Sequence, residues 1–167
     1  MARLSKRQHA VNAAPPAASR TPAGDAFTAL ILQVIWLNSL FTAAGEALAK
    51  PAGQTLARWL VLEEIQHAPA TVAQIARRMG LARQSVQRLA DVLVEGGFAV
   101  YDDNPAHRRA KLVRMAPPGR AALDTIQAAQ RVWADALGAE LGEADLRQAS
   151  AVLDRVMRAI RDPAFSP

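Results

Sequence analysis

The run "TVAQIARRMGLARQSVQRLADVLVEGGFAV", residues 71–100, is two short amphipathic segments separated by a glycine. Thr71 followed three residues later by Gln74 is a capping-box pattern, in which each side chain can satisfy a free backbone N–H of the other. Val72, Ile75 and Met79 point one way and Arg77 and Arg78 another, and Gly80 supplies the left-handed turn residue that ends the segment. A second helix is expected over residues 82–95. At about 100° per residue, Val86, Leu89, Ala90 and Leu93 share one stripe, while Gln84, Gln87, Arg88, Asp91 and Glu95 fall opposite with Arg83 and Ser85 on the flanks. Two short helices joined by a glycine-containing turn form a helix-turn-helix.

Working outward, Gly96-Gly97 leads to a hairpin signal: residues 98–102, the loop "DNPAHRRA", and residues 111–115. Val113 and Met115 share a face opposite Arg114, and the loop carries His107, Arg108 and Arg109, which makes it a wing. Upstream, a helix capped by Gly24/Asp25 is expected to run to about Ala49, where Lys50-Pro51 ends it, followed by a helix over residues 55–67. Downstream, Pro117-Pro118 suits a helix start; Leu123, Ile126, Gln130, Trp133 and Leu137 keep one face until Gly142-Glu143. Leu146, Ala149, Leu153, Val156, Met157 and Ile160 mark a last helix. The fold class expected is mainly α with a small β-wing. Its parts are a disordered basic arm (1–23), a long helix (24–50), a winged helix-turn-helix lobe (51–116), C-terminal helices (117–162) and a tail (163–167).

Composition narrows the chemistry. The 167 residues include no Cys, which excludes disulfides, thiolate zinc sites and iron–sulfur clusters, and the three His are too scattered for a local metal motif. The net charge is +5, unevenly placed. Residues 71–115 hold eight Lys and Arg against four Asp and Glu, and residues 1–25 hold four against one, so the remainder is net acidic. Basicity gathered in one lobe and one tail fits a polyanion. Residues 26–45 carry no charge, which invites a membrane reading. Thr28, Gln33, Asn38, Ser39 and Thr42 argue instead for a soluble helix buried between subunits.

The helix pair "IARRMGLARQSVQRLADVL", the Gly-Phe lead into the wing, the wing "NPAHRRAKLV" and the Pro-x-Gly-Arg start of the next helix together resemble the MarR-type winged-helix transcriptional regulators. The resemblance spans about residues 25–160. It implies a homodimer whose first and last two helices interlock, a palindromic operator, more often repression than activation, and release by a small aromatic or lipophilic effector. Three departures stand out. Ala82-Arg83 replaces the usual Asp or Ser cap, worth about 1 kcal/mol. His107 stands where the family often carries the Asp that braces the wing to an arginine, and Met115-Ala116 stands where Leu-Thr is common.

The candidate DNA contacts are Arg83, Gln84, Ser85, Gln87 and Arg88 on the second helix and His107, Arg108 and Arg109 in the wing. Gln and Arg present paired groups that match adenine and guanine edges, and a basic hairpin tip suits phosphate or the minor groove. Arg88 has an alternative role, bracing Asp91 or a wing carboxylate. Trp36, Trp59 and Trp133 read as core or dimer-interface residues. A ligand pocket, being mostly apolar with few polar groups, has Trp36, Asn38, Arg58 and His67 as candidates. Neither a Ser-His-Asp set, nor paired carboxylates, nor a glycine-rich phosphate loop occurs in a suitable context, so no catalysis, cofactor or metal is expected. The expected setting is the bacterial cytoplasm, with double-stranded DNA as partner and no membrane. The alternatives are a winged-helix protein-interaction module, whose outward face should be acidic or apolar, and a membrane-anchored protein using residues 26–45.

Overall fold

The computed structural model describes residues 20–107 and 109–165. It contains six α-helices, two single 3-10 turns and three strands among those residues. The chain divides into two compact units, one reaching to Leu40 and the other beginning at Phe41.

Helix α1, Pro22–Ala49, begins two residues before the expected cap. Thr21 takes that role, its Oγ1 accepting from Gly24 N at 3.1 Å, and Pro22 sits in the first turn, where a missing N–H costs nothing. Asp25 lies in the first turn as well, where the helix dipole favours an anion. The basic arm therefore gives way to helix inside the expected 1–23 segment; its residues 1–19 lie outside the described part of the chain, as does Arg108. In the first unit Phe27, Ile31, Leu32, Ile35, Trp36 and Leu40 are all exposed. By length and composition, residues 22–52 are apolar enough to cross a membrane: an 18-residue window within them has mean hydropathy 1.6, and none of that window is buried inside the chain.

The second unit holds the core. Gly45 and Ala49 near the end of α1 are buried, and Leu56 packs so closely on Gly45 that a Cβ there would lie 2.7 Å from its Cδ1. Helix α2, Leu56–Glu64, is capped by Thr55, whose side chain accepts from Arg58 N. Its Val61 and Leu62 meet Val72 and Ile75 of α3 (Val72–Met79), and Val86, Ala90 and Leu93 of α4 (Arg83–Glu95). The capping box on α3 is present in both directions: Thr71 Oγ1 accepts from Gln74 N at 3.3 Å and Gln74 Oε1 accepts from Thr71 N at 2.8 Å. Gly80 closes α3 at φ +66°, and Ala82 opens α4 with no side-chain cap, as the missing Asp or Ser implied.

The sheet has three strands rather than two. β1 (Ala70–Thr71), β2 (Ala99–Asp102) and β3 (Leu112–Met115) lie in the order β1-β3-β2, all antiparallel. Ala70 pairs with Val113 and Tyr101 also pairs with Val113 from the other side, so β3 is the central strand. Two residues are too few to show a period-2 pattern, which is why β1 escapes a reading of the sequence alone.

Helices α5 (Pro117–Leu141) and α6 (Glu143–Arg161) follow. Leu123 and Ile126 are fully buried, and Leu123 joins the lobe's core, so α5 begins as part of the lobe. Gly119 is buried where α5 crosses the wing base; a Cβ there would collide with the Phe98 carbonyl. Arg120 donates to the Gln66 carbonyl at 2.5 Å, and Gln127 donates to Glu63 Oε1 at 3.1 Å. Trp59 donates to the same Glu63 oxygen and packs on the core, and Trp133 meets Phe41 edge-on at 6.4 Å. Trp36, 65% exposed, is not a core residue of this chain.

Candidate nucleic-acid interface

Helix α4 places its side chains by its own periodicity. With Val86, Ala90 and Leu93 at 0% exposure against the core, Arg83, Gln84, Ser85 and Arg88 are left on the exposed side. None of these four side chains makes a hydrogen bond or ion pair within the described residues. Arg88 makes no ion pair with Asp91, Asp102 or Asp103 among the described residues; Asp91 and Asp102 are held by other partners. Donors without an internal partner on an exposed helix face are free to meet base edges or phosphate.

Gln87 and Asp91 sit differently from the sequence expectation. Both are half-buried, turned toward β2, which runs back along that flank of α4. Gln87 Nε2 donates to Asp91 Oδ1 at 2.9 Å and to Tyr101 Oη at 2.7 Å, and the Tyr101 hydroxyl donates to Asp91 Oδ1 at 2.7 Å. Burial and the neighbouring Asp91 carboxylate both push the Tyr101 hydroxyl well above its usual pKa, so it stays protonated and a donor. The sequence singled out neither Tyr101 nor Asp91 as a functional residue.

The wing is braced from within. Arg114 on β3 meets Asp102 on β2 at 2.5 Å, with a second contact from Nη2 at 3.3 Å. This cross-strand pair supplies the carboxylate–arginine bracing that His107 had put in question. The Arg114 hydrogen bond holds the Asp102 carboxyl below the ordinary carboxylate range. A depressed folded-state value means that the bracing is fully present above the unfolded pKa of about 3.9 and fades as pH falls through the lower folded value. The pair should therefore be constant from mild acid to mild base. Unfolding followed against pH should show an acid-side loss of stability that Asp102→Asn reduces; an unchanged acid limb in that variant would rule out the pair as a contributor.

Beyond the strands, Asn104 turns the loop: its Oδ1 accepts from Ala106 N at 3.0 Å, and its carbonyl accepts from His107 N at 3.1 Å. His107 and Arg109 are exposed. Between the loop, α4 and the start of α3 lies a groove of about 320 Å³ lined by Arg83, Gln87, Tyr101, Arg109 and Lys111. Three cations around one groove at the end of a recognition-type helix suit a phosphate.

Of the ligand candidates, Trp36 and Asn38 belong to the first unit and Arg58 and His67 to the second. Arg58 donates to the Gly53 carbonyl at 3.1 Å, whereas exposed His67 borders a separate groove with Glu63, Glu64 and Arg78 that does not include Arg58. Buried Gln54 was not singled out from the sequence; its carboxamide has no hydrogen-bond partner among the described residues. No group of three or more His, Asp or Glu among the described residues is placed to hold a metal.

Comparison with known proteins places this geometry. A model of the MarR family matches residues 52–110. An uncharacterised protein of Mycobacterium tuberculosis is 39% identical over 102 residues, which are 61% of this chain and 71% of the relative, and one from Mycobacterium bovis matches equally. Among solved structures, a MarR family transcription regulator superposes with a TM-score of 0.75 at 22% identity, covering 87% of this chain and 99% of the other. Staphylococcus aureus MarR in complex with salicylate and kanamycin gives 0.71 at 15% identity, covering 80% and 91%. A mutant MarR from E. coli complexed with operator DNA gives 0.71 at 20% identity, covering 79% and 96%.

Proposed function

The chain belongs to the MarR family of transcription regulators, and from that premise we propose that it binds double-stranded DNA as a homodimer, acting as a repressor at a palindromic operator. The observation that carries this reading is the exposed Arg83, Gln84, Ser85 and Arg88 of α4, without partners among the described residues, beside a braced wing bearing His107 and Arg109. The E. coli relative bound to operator DNA supports it. An outward face that is basic and amide-rich speaks against a protein-interaction module. Two copies of α4 on one face of the duplex need half-sites about 10 bp apart.

The apolar side chains left exposed favour a second copy as cover. On α1 they include Ile31, Ile35 and Leu40, and on α6 Leu153, Met157 and Ile160. Large exposed apolar side chains on each of these helices suit an interface. A small aromatic or lipophilic effector is the proposed release signal, by analogy with the Staphylococcus aureus protein that holds salicylate. Trp36 and Asn38, and separately Arg58 and His67, are candidates to contact it. An effector that prefers one spacing of the two recognition helices shifts DNA binding by its differential affinity for the two states. As a DNA-binding regulator it acts in the cytoplasm, with no catalytic step or cofactor.

The test is a titration against DNA from upstream of its own gene at several salt concentrations, with the mass of the free protein measured alongside. A dimer whose affinity falls steeply with salt is expected. Arg109→Ala should weaken binding to all sequences and reduce the salt slope by about one unit per lost phosphate contact. An unaltered slope would remove the wing from the interface, and absence of binding at low salt would sink the DNA-binding reading.

A further inference from the structure

Gln87, Asp91 and Tyr101 form a closed triangle of hydrogen bonds with sides of 2.9, 2.7 and 2.7 Å. Its logic fixes the orientation of the glutamine amide. A carboxylate only accepts, so Asp91 must be met by donors. The single Tyr101 hydrogen goes to Asp91, and the hydroxyl can then offer Gln87 nothing but a lone pair. The atom of Gln87 facing both partners must therefore be the nitrogen; a flipped amide would set its oxygen against the Asp91 carboxylate. Gln87 Oε1, at the other end of the carboxamide, has no partner among the described residues.

A carbonyl oxygen reads only donors. In the major groove those donors are the exocyclic amines, N6 of adenine and N4 of cytosine, whereas guanine and thymine present O6 and O4 acceptors. We propose that Tyr101 is a positioning residue for base selection: with Asp91 it holds the Gln87 nitrogen against β2, so that Gln87 Oε1 selects adenine or cytosine at one position of each half-site. This rests on the DNA-binding reading above. It changes the expected role of Gln87 from a freely rotating bidentate adenine reader to a preset acceptor, and it gives the wing strand a part in specificity without a base contact of its own.

Binding-site selection with the full chain, its Tyr101→Phe variant and its Gln87→Met variant tests the proposal. The wild-type protein should favour adenine or cytosine about tenfold at one position per half-site, as expected for a good base contact. Gln87→Met, similar in length but without the amide, should flatten that same position. Tyr101→Phe should also flatten it, while salt slope and preference at all other positions stay as in wild type. Loss of the wing's packing alone would instead lower affinity for every sequence equally. A position that Gln87→Met flattens and Tyr101→Phe leaves intact would overturn the positioning role while leaving DNA binding standing. If Gln87→Met changes no position, Gln87 is not a reader and the proposal falls. Selection of no DNA by the wild type would remove the DNA-binding reading and this proposal together. A readout without DNA runs in parallel. The Gln87 side-chain amide resonances, assigned by their loss in Gln87→Met, should be shifted from those of exposed glutamines and move toward them in Tyr101→Phe; coincidence with exposed glutamines in the wild type would overturn the preset orientation.

Discussion

Replacing Gly119 by alanine is expected to destabilise the lobe by about 1–3 kcal/mol, the range for forcing an extra carbon into a packed site. The expectation runs against helix propensity, since alanine inside a helix is favoured over glycine by about 0.8–1 kcal/mol. The geometry decides which effect wins. A Cβ on Gly119 meets the Phe98 carbonyl, a backbone group that also accepts a hydrogen bond from Ala116 N at 3.0 Å. Neither can swing aside as a side chain would. Gly138 on the same helix has nothing within 4 Å of the position its Cβ would take, so Gly138→Ala should be neutral or stabilising by up to about 1 kcal/mol. Chemical denaturation of the two variants gives the comparison, and equal effects would mean that the close approach at the wing base is not the constraint.

Arg88→Ala is expected to weaken binding to the operator by about 1–3 kcal/mol while leaving the folded protein as stable as wild type within about 0.5 kcal/mol. The second half of that statement follows from the partners already taken. Asp91 is held by Gln87 and Tyr101, and Asp102 by Arg114, so no carboxylate in reach depends on Arg88 for its charge balance. A base-contacting role predicts altered preference at one position; a phosphate contact predicts uniform weakening. A lower unfolding midpoint with unchanged DNA affinity would return Arg88 to a bracing role.

The helix pair was legible because its punctuation is local: Thr71 with Gln74, Gly80, and the Val86/Ala90/Leu93 stripe each act within a turn or two. The wing strands and the break at Gly142 were readable for the same reason, and the uncapped starts at Ala82 and Ala116 appear as the sequence suggested. What could not be read depends on where distant segments return. Gln87 and Asp91 lie on the polar side of α4 by angle alone, and only the path of β2 turns that flank inward. Asp102 and Arg114 become neighbours through the register that pairs Val100 with Arg114 and Asp102 with Leu112, which a loop of uncertain geometry does not dictate. The start of α1 lies earlier because Thr21 caps it and Pro22 fits its first turn, a signal upstream of the Gly24/Asp25 pair.

The attachments of α5 to the lobe carry a mechanical consequence. Ala116 N to the Phe98 carbonyl, Gly119 against the same group, Arg120 to the Gln66 carbonyl and Gln127 to Glu63 are spaced along about the first three turns of the helix. A rod pinned at four successive points cannot swivel about its first residue. The winged lobe and this stretch of α5 therefore travel as one lever, and in the proposed dimer the fulcrum for a change in reach between its recognition helices is expected beyond Gln127 rather than at the Met115–Pro117 junction. Substitutions that soften α5 past that residue are the ones that should uncouple the proposed effector from DNA binding without touching either.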